Sequence, residues 1–567
     1  MLANEKVFKK GGAAMGNWYE QAIIYQIYPK SFKDSNNDGI GDLVGITQKL
    51  DYVQNLGANT IWLNPIFVSP QVDNGYDVSN YFAIDPLLGN MNDFKEMVTQ
   101  IHKRNMHLIL DLPINDTSDQ HPWFQDAIAN KDSIFREYYI WQEKDGQRPN
   151  NWGSFFGGSV WAPDPKGGSQ YYCHVFDKKM PDLNWQNPEV RKSMADIAKF
   201  WVDKGVDGFR LDAFIHIAKA NFEQQILNQK EKYPVDSAFY ANLPEVKNYL
   251  KDFVKAVKAY KPDVFFLGEA SSADAYQAAE YTRPSQFGCD MVVTSDNYGE
   301  VYPLKDKKLP MFFQPRYLDV KRLKETFSIW EAVLSQTSLP ALTWGNHDIS
   351  RVLDRLHVDE SDQDLPKALA ACMYLQRGVP IIYYGEEIGM RNLKYKKLKD
   401  FHDQRGVDLI QFMQEKGYSD QEIIDLLNQQ DEMTARGPFQ WQNDKYVGFS
   451  THHPWNWAEH NEVTAAESLR ESDGQLEFYK ALLKIKASPL FEAGSYLLLD
   501  TQPQIYAYER KLNKQRAFVI VNFGTQTVKY RIPTLKVVHT LLSNKASSLV
   551  DNVVTIEAHG SIVIEEK

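Results

Sequence analysis

The sequence predicts an α/β protein built on a (β/α)8 TIM barrel, with a small domain inserted after the third strand and a C-terminal antiparallel β-sandwich. Three observations predict this fold. Short apolar runs alternate with amphipathic helical segments through most of the chain. Three of the runs end in an acidic residue, and parallel barrels carry functional residues at the carboxyl ends of their strands. From about residue 497 the pattern changes to closely spaced β-runs.

Eight short β-rich runs provide the predicted barrel strands. They lie at residues 23–27, 60–63, 108–112, 208–211, 264–268, 291–294, 341–343 and 381–384. Amphipathic helical patterns, such as those at 91–104 and 190–204, occupy the intervals between them. We expect the folded body to begin near Trp18, after a poorly patterned extension of residues 1–15.

Two intervals and the tail interrupt this alternation and define the predicted domains. Residues 114–181 form a long excursion rich in Gly, Asn, Trp and Tyr, so the barrel takes 15–113 and 182–496. Residues 391–440 form a second excursion after strand eight, with a helical core at 404–430. The sandwich covers 497–567, with runs at 504–509, 517–522, 528–532, 553–557 and 561–565.

Composition excludes several classes of protein. The chain has 63 basic and 74 acidic residues, a net charge of −11, and no basic run that would suit nucleic acid. Its apolar stretches are too short to cross a membrane. The three cysteines, Cys173, Cys289 and Cys372, are far apart and indicate neither a disulfide framework nor a metal site. We therefore expect a cytoplasmic protein.

The segment GVDGFRLDA at residues 205–213 is the most informative part of the chain. A small-residue turn leads into an apolar strand that presents Arg210 and Asp212 on one side, because side chains alternate along a strand. A neighbouring guanidinium favours the ionised carboxylate, and an ionised carboxylate can act as a glycosidase nucleophile. An ordinary ion pair at a strand end is the alternative interpretation.

Two further apolar runs end in acids. VFFLGEA at 264–270 contains Glu269, and ALTWGNHD at 341–348 ends in His347 and Asp348. Other ordered segments are NGYD at 74–77, NNWGSFFGGS at 150–159, PDLNW at 181–185 and YGEEIGM at 384–390. On these residues the chain, from about Trp18 to its C-terminus, resembles the α-amylase superfamily of retaining glycoside hydrolases. It is most similar to the α-glucosidase and oligo-1,6-glucosidase branch.

The resemblance implies a role for each of the three acids. Asp212 would be the nucleophile, Glu269 the general acid/base and Asp348 the stabiliser of the transition state. A retaining mechanism requires the first two carboxyl groups about 5–5.5 Å apart, and it requires Glu269 to be protonated at neutral pH. Acid/base and covalent catalysis suffice for this chemistry, so no organic cofactor is implied.

The resemblance also implies which residues hold the sugar. Arg210 would keep the nucleophile ionised, His347 would hydrogen-bond the bound glucose, and Tyr76 would stack on it. The excursion at 114–181 would be a small inserted domain that forms one wall of the cleft, and its Phe176 would line the entrance. A surface loop without a role in the cleft is the alternative for this excursion and for the one at 391–440. Core packing is the alternative role for Tyr76 and Phe176.

A predicted ion pair decides the shape of the site. In related glucosidases an acid after the second strand pairs with an arginine late in the chain, and the matching residues here are Asp73 and Arg436. The pair would close the cleft beyond the first glucose, so the enzyme would release one glucose from the non-reducing end.

One position departs from the family pattern. Residues 111–116 read DLPIND, and Asp116 stands where the family has a histidine that donates to the glucose 6-hydroxyl. An ionised Asp could only accept a hydrogen bond there, and it would add negative charge near Asp212 and Asp348. We expect a weaker grip on the first glucose and altered turnover.

The residue after the nucleophile bears on linkage preference. In this branch it is often Val in α-1,6-acting enzymes and Ala in α-1,4-acting ones, and this chain has Ala213. Leu211 and His216 are also amylase-like. We expect α-1,4 substrates such as maltose and short maltooligosaccharides, although the difference is only of methyl scale.

A candidate metal loop follows the first strand. Residues 34–42 read DSNNDGIGD and place oxygen donors at Asp34, Asn36, Asp38, Ile40 and Asp42. Hard oxygen donors around a glycine turn suit Ca²⁺, with Mg²⁺ as the second candidate. An Asx-rich turn without an ion is the alternative. The family resemblance favours a structural Ca²⁺ site.

Several alternatives keep the same fold. An oligo-1,6-glucosidase, a glucosyltransferase or a sucrose isomerase would use the same mechanism with another substrate or acceptor. Trehalose 6-phosphate hydrolysis is a further alternative, but the sequence carries no distinct basic cluster for the phosphate. A non-enzymatic transporter heavy chain would need a membrane anchor and would lose the acids. We expect an oligosaccharide partner, neither nucleic acid nor membrane, and a monomer or homodimer.

Overall fold

The computed structural model describes residues 17–227, 230–284, 288–294, 299–302, 309, 314–335, 337–533, 536–545 and 547–566. The predicted extension of residues 1–15 lies outside this part of the chain.

Eight parallel strands form one sheet that curls into a barrel. They are β1 Ile24–Ile27, β2 Thr60–Leu63, β3 His107–Pro113, β4 Gly208–Asp212, β5 Phe265–Glu269, β6 Met291–Val293, β7 Ala341–Leu342 and β8 Val379–Tyr383. From β6 to β1 the strands are neighbours in chain order, and β8 and then β7 continue beyond β1. Since β7 and β6 also contact each other, the sheet nearly closes and the predicted barrel is confirmed.

Amphipathic helices connect the strands. The two predicted segments at 91–104 and 190–204 form Met91–Lys103 and Pro188–Val202. An Asn90–Asp93 capping box begins the first, which buries one apolar face. The other α-helices up to β8 are Pro29–Phe32, Leu43–Gln48, Leu50–Leu56, Pro122–Ala129, Glu245–Tyr260, Ala275–Tyr281, Val320–Leu334, Val352–Arg355 and Leu365–Tyr374. Within the described residues, the helices are all too short or too polar to cross a membrane.

The long connection between β3 and β4 carries its own small sheet and core. Strands Trp141–Gln142, Trp161–Pro163 and Tyr171–Cys173 pair antiparallel, with Tyr171–Cys173 in the middle. Apolar side chains around Trp152 and Trp161 form a cluster separate from the barrel core. Two further hairpins pair Phe67–Val68 with Asn80–Ile84 and Glu300–Val301 with Tyr317–Leu318.

The excursion after β8 is helical, as the sequence predicts. Its helices are Gln404–Glu415, Asp420–Gln430 and the short Glu432–Ala435. The predicted apolar stripe packs into one cluster, formed by Leu409, Phe412, Ile423, Ile424 and Leu427 with Met413 and Phe401. Helices Ala465–Ser468, Gln475–Lys486 and Pro489–Ala493 then lead to the C-terminal sheets.

The C-terminal strands form two antiparallel sheets. They are β9 Ser495–Leu498, β10 Ile505–Leu512, β11 Gln515–Asn522, β12 Val528–Arg531, β13 Val538–Ser543, β14 Ser547–Val550, β15 Val553–Ile556 and β16 Ser561–Glu566. The five-stranded sheet has the order β9-β10-β11-β16-β13, and the three-stranded sheet the order β12-β15-β14. The sequence missed β9, β13 and β14, which are all half-exposed strands at a sheet edge and therefore lack a strong apolar signal.

Candidate active site

Three strand ends bring the predicted catalytic acids around one guanidinium. Asp212 ends β4, Glu269 ends β5 and Asp348 lies in the loop after β7. Arg210 Nη1 donates to Asp212, while Nη2 lies 2.9 Å from Glu269 Oε2 and 3.8 Å from Asp348 Oδ2. The Arg210 side chain is almost completely buried, so its charge faces the acids of the site and not solvent.

Asp111 on β3 is a fourth acid on the same guanidinium. Its Oδ1 accepts from Arg210 Nη1 at 2.8 Å. Burial raises the pKa of Asp111 to about 6, although Arg210 opposes the rise. The sequence analysis did not select Asp111 as a site residue, and a carboxylate inside an otherwise apolar strand was the signal that could have revealed it.

Burial and the charge of Arg210 act in opposite directions on Asp212. Burial raises the pKa of Asp212 well above its usual range, and the nearby charges of Glu269 and Asp111 raise it further. Arg210 lowers it. The predicted contact between Arg210 and Asp212 is therefore the interaction that opposes protonation of Asp212.

The residue after Asp212 orients Glu269. Ala213 has φ 48°, in the left-handed region, and its backbone N–H donates to Glu269 Oε2 at 2.9 Å. Glu269 is thus held by Arg210 on one side and by the backbone of the turn after Asp212 on the other. This arrangement places the Asp212 and Glu269 carboxyl groups side by side.

His347 and Tyr76 form a buried polar wall of the site. The rings stack with centroids 5.4 Å apart, and the Tyr76 hydroxyl contacts His347 Nε2. The Gln26 amide nitrogen lies 2.9 Å from His347 Nδ1, so Nδ1 accepts and Nε2 carries the proton, 3.1 Å from Asp348 Oδ1. Burial, together with Arg210 and Arg436, lowers the pKa of His347 well below its usual value and keeps the ring neutral.

Further polar residues support this wall. The Tyr76 hydroxyl donates to Asp111 Oδ2 at 2.9 Å and accepts from Asn64 Nδ2 at 2.9 Å. Gln26 also donates to Asn64, at 3.1 Å. Gln26 on β1 and Asn64 after β2 were missed by the sequence analysis, because a single amide in an apolar run is a weak signal.

The predicted Asp73–Arg436 ion pair is not formed. Arg436 Nη2 instead lies 3.0 Å from Glu432 Oε1 and 3.7 Å from Asp348 Oδ1. Glu432 precedes Arg436 by one helical turn, so it reaches the guanidinium without the ordering of a second loop. Asp73 remains close enough for Arg436 to lower its pKa, but burial and Glu432 raise that pKa well above the usual range.

Asp116 is buried and does not behave as the sequence analysis expected. It is 2% exposed, Oδ2 accepts from Asn115 Nδ2 at 3.1 Å, and Oδ1 is buried without a hydrogen-bond partner. The nearby Lys219 pairs with Asp182 instead, at 2.9 Å. Burial and Asp182 raise the pKa of Asp116 well above its usual range. The expectation of an ionised carboxylate is therefore corrected, since this environment favours a neutral acid that can donate.

Phe176 belongs to an aromatic cluster beside the acids. Its ring lies 5.7 Å from that of Phe155 and 5.8 Å from that of His216. Phe155 is 38% exposed, so part of the cluster faces solvent. Phe155 was not selected from the sequence, although it lies in the NNWGSFFGGS segment. The role of Phe176 at the pocket entrance stays a prediction.

The candidate metal loop folds as a series of turns. Asp34 Oδ1 accepts from the backbone of Asn36 at 3.0 Å, and Asp42 caps helix Leu43–Gln48 by accepting from Gly45 N at 2.6 Å. In the described part of the chain, acidic, His and Cys side chains do not converge in threes as a metal site. A cation here would also need the amide oxygen of Asn36 and the carbonyl of Ile40. The all-oxygen donor set fits Ca²⁺, which stays a prediction.

Comparisons with known proteins agree with this architecture. The family model for the α-amylase catalytic domain matches residues 26–494, and that for the α-amylase SusG C-terminal domain matches 505–563. An oligo-1,6-glucosidase from Parageobacillus thermoglucosidasius is 37% identical over 91% of this chain and 92% of its own length. A trehalose-6-phosphate hydrolase from Bacillus subtilis is 37% identical over 91% of each chain. A solved structure described as a family GH13_31 enzyme is 43% identical, with TM-score 0.88, covering 97% of this chain and 100% of its own.

Proposed function

Since the chain belongs to the α-amylase family of glycoside hydrolases, we propose that it is a retaining α-glucosidase that releases glucose from the non-reducing ends of short α-glucosides. The observation that carries the proposal is the grouping of Asp212, Glu269 and Asp348 around Arg210. The names of the curated relatives support the same class of activity.

The chemistry follows from the two carboxyl groups held side by side. The Asp212 carboxylate attacks the anomeric carbon and forms a glycosyl ester, while Glu269 gives its proton to the leaving glycosidic oxygen. Glu269 then takes a proton from water, and the resulting hydroxide equivalent displaces Asp212 from the sugar with net retention. Asp348, held beside Arg210, stabilises the sugar as positive charge develops on its ring.

Release of single glucose units is supported by the walls of the site. Tyr76, His347 and Arg436 are all buried at the end of the site beside Asp348. Glu432 takes the place predicted for Asp73 as the carboxylate partner of Arg436. A substrate that met this wall could place only one sugar ring beyond the bond that is cleaved.

We propose a preference for α-1,4 linkages, from the alanine that follows the nucleophile. Ala213 is buried beside the catalytic acids, so a larger side chain there would reduce the space next to the bond that is cleaved. An α-1,6 preference is the second candidate, favoured by the name of the oligo-1,6-glucosidase relative. Transfer of glucose to a sugar acceptor would use the same acids, because only the group that replaces water differs.

The test is product analysis with purified enzyme on maltose, isomaltose and trehalose 6-phosphate, each at low and high concentration. We expect glucose chiefly from maltose, with kcat/KM at least about tenfold above that for isomaltose, as for a difference of about one methyl group. A preference for isomaltose or trehalose 6-phosphate would overturn the linkage proposal. Trisaccharides as the main product at high maltose would indicate a transglucosylase.

Three variants accompany this experiment. Asp212→Asn should lose at least about 10³-fold in kcat on every substrate, because the nucleophile is gone. Asp132→Asn, at an exposed position, should match the unmodified enzyme. Ala213→Val should move the ratio of kcat/KM values toward isomaltose. Glucose release that survives in Asp212→Asn would contradict the assigned mechanism.

A further inference from the structure

We infer that Glu432 and Arg405 are positioning residues that set the place of Arg436, and through it the place of Asp348, at the catalytic centre. This inference rests on the proposed function, because it assigns the support of one of the three catalytic acids. It also gives the helical excursion after β8 a part in the reaction.

Glu432 is the central residue of this arrangement. Its side chain is buried between two arginines, with Oε1 3.0 Å from Arg436 Nη2 and Oε2 in contact with Arg405 Nη1. A carboxylate held by two guanidinium groups has little freedom to move. Glu432 therefore defines where the Arg436 guanidinium lies.

Arg436 transmits this placement to the reacting groups. Its Nε donates to the carbonyl of His347 at 2.8 Å, and its Nη2 lies 3.7 Å from Asp348 Oδ1. His347 itself lies 3.1 Å from the same Asp348 oxygen. The loop that carries Asp348 is thus held through both its backbone and its carboxylate by the arginine that Glu432 orients.

Arg405 connects the excursion to this pair. It lies in helix Gln404–Glu415 of the excursion after β8, and its side chain is one-third exposed. From this helix it contacts Glu432. Burial raises the pKa of Asp431 well above its usual range, and Asp403 and Glu432 raise it further while Arg405 lowers it. Arg405 is therefore the cation that balances several acids behind Arg436.

Without Glu432, the arginine would have other acids to bind. Asp73 lies close enough to Arg436 for the guanidinium to lower the pKa of Asp73. Asp348 is already within reach of the same guanidinium. A shift of Arg436 toward either acid would displace Asp348 or neutralise it more strongly. Since Asp348 acts on the transition state, the expected result is a loss of kcat rather than of substrate binding.

The test compares Glu432→Gln, Arg405→Gln and the double variant with the unmodified enzyme, using 4-nitrophenyl α-glucoside. For Glu432→Gln we expect kcat to fall about tenfold or more with KM within about threefold, since misplacing a catalytic group by about 1 Å can cost on the order of 10²-fold. Arg405→Gln should show a smaller loss in the same direction. The double variant should lose no more than Glu432→Gln alone, because the residues act in one chain of contacts.

Glu415→Gln on the same helix is the matched control, because that glutamate is exposed, and it should leave kcat unchanged. Glu432→Asp should recover part of the lost kcat. Additive losses in the double variant, or an unchanged kcat in Glu432→Gln, would overturn the inference. If Glu432→Gln does not fold, an unchanged kcat in the folded Arg405→Gln overturns it equally. Inactivity of the unmodified enzyme on the glucoside would instead reject the proposed function.

Discussion

At the scale of single residues, the main feature of the site is that several carboxyl groups surround one guanidinium. Arg210 contacts Asp111, Asp212 and Glu269 directly and lies within ion-pair distance of Asp348. One guanidinium cannot neutralise four carboxylates, so burial shifts the most enclosed of them toward protonation. Burial raises the pKa of both Asp111 and Asp212, and Arg210 opposes the rise at each of them.

Asp116 provides a residue-scale prediction. Because burial raises its pKa, the carboxyl group is neutral at low pH and can donate to a sugar hydroxyl. As the pH rises through that raised pKa, the neutral form is lost, and negative charge appears near Asp212. We expect kcat/KM on 4-nitrophenyl α-glucoside to decline on the alkaline side, and Asp116→Asn to remove this decline.

The comparison variants sharpen this prediction. Asp116→Asn keeps a donor and an acceptor at the same size, so its kcat/KM at pH 6 should stay within about threefold. Asp116→Ala removes both and should lose about tenfold, as for one or two unmade hydrogen bonds. Asp116→His keeps a hydrogen-bond donor without a carboxylate and should therefore also remove the alkaline decline. An identical pH profile for Asp116→Asn and the unmodified enzyme would contradict the neutral acid.

At the scale of single elements, the ends of the strands and the loops that follow them carry the function. Asp212 and Glu269 are the last residues of their strands, and Ala213 turns the chain immediately afterwards. The loop of residues 34–42 follows the short helix Pro29–Phe32 after β1 and is tied to the distant Ser450, whose hydroxyl donates to Asp34 Oδ2 at 2.6 Å. Because this contact joins two distant parts of the chain, we expect the loop to contribute to stability.

The metal prediction belongs to this loop. We expect added Ca²⁺ to raise the free energy of unfolding by RT ln(1 + [Ca²⁺]/Kd), about 2.7 kcal/mol at 100 times Kd, and thereby to raise Tm. A chelator should reverse the effect. Asp38→Asn should abolish the Ca²⁺ response while leaving KM for the glucoside unchanged. Thermal unfolding with Ca²⁺, Mg²⁺ or chelator is the measurement. A Tm that is independent of all three would show an Asx-rich turn without an ion.

At the scale of the whole molecule, the C-terminal sheets are fastened to the barrel by buried polar contacts. Arg510 on β10 is fully buried and donates to the carbonyls of Leu375, Phe491 and Gly494 at 2.8–2.9 Å. Leu375 directly follows barrel helix Leu365–Tyr374. One side chain thus satisfies main-chain groups on both sides of the junction.

We expect Arg510→Ala to lower the free energy of unfolding by about 3 kcal/mol or more, because it leaves several buried carbonyls without donors. KM for the glucoside should not change, since the carbonyls that Arg510 binds, those of Leu375, Phe491 and Gly494, belong to residues outside the proposed site. Thermal and urea unfolding are the measurements, and Lys511→Ala, at an exposed neighbouring position, is the control. A Tm equal to that of the control would show that the junction does not depend on Arg510.

Much of this protein is readable from local sequence. The barrel strands agree with their predicted positions to within a few residues, since each is a short apolar run. The residues proposed as catalytic acids were identifiable because each follows such a run, and parallel strands bring their carboxyl ends to one edge. The three missed strands lie at sheet edges, where half of the side chains meet water and apolar periodicity is weak.

By itself, the sequence determined the barrel, the two antiparallel C-terminal sheets and the positions of Asp212, Glu269 and Asp348, because local periodicity and strand ends are properties of short segments. Only the tertiary structure decided that Arg436 binds Glu432 rather than Asp73, and that Asp116 is buried beside a lysine already paired with Asp182. These outcomes depend on which distant charges meet and how deeply they are buried. Neither quantity is encoded in a short stretch of chain.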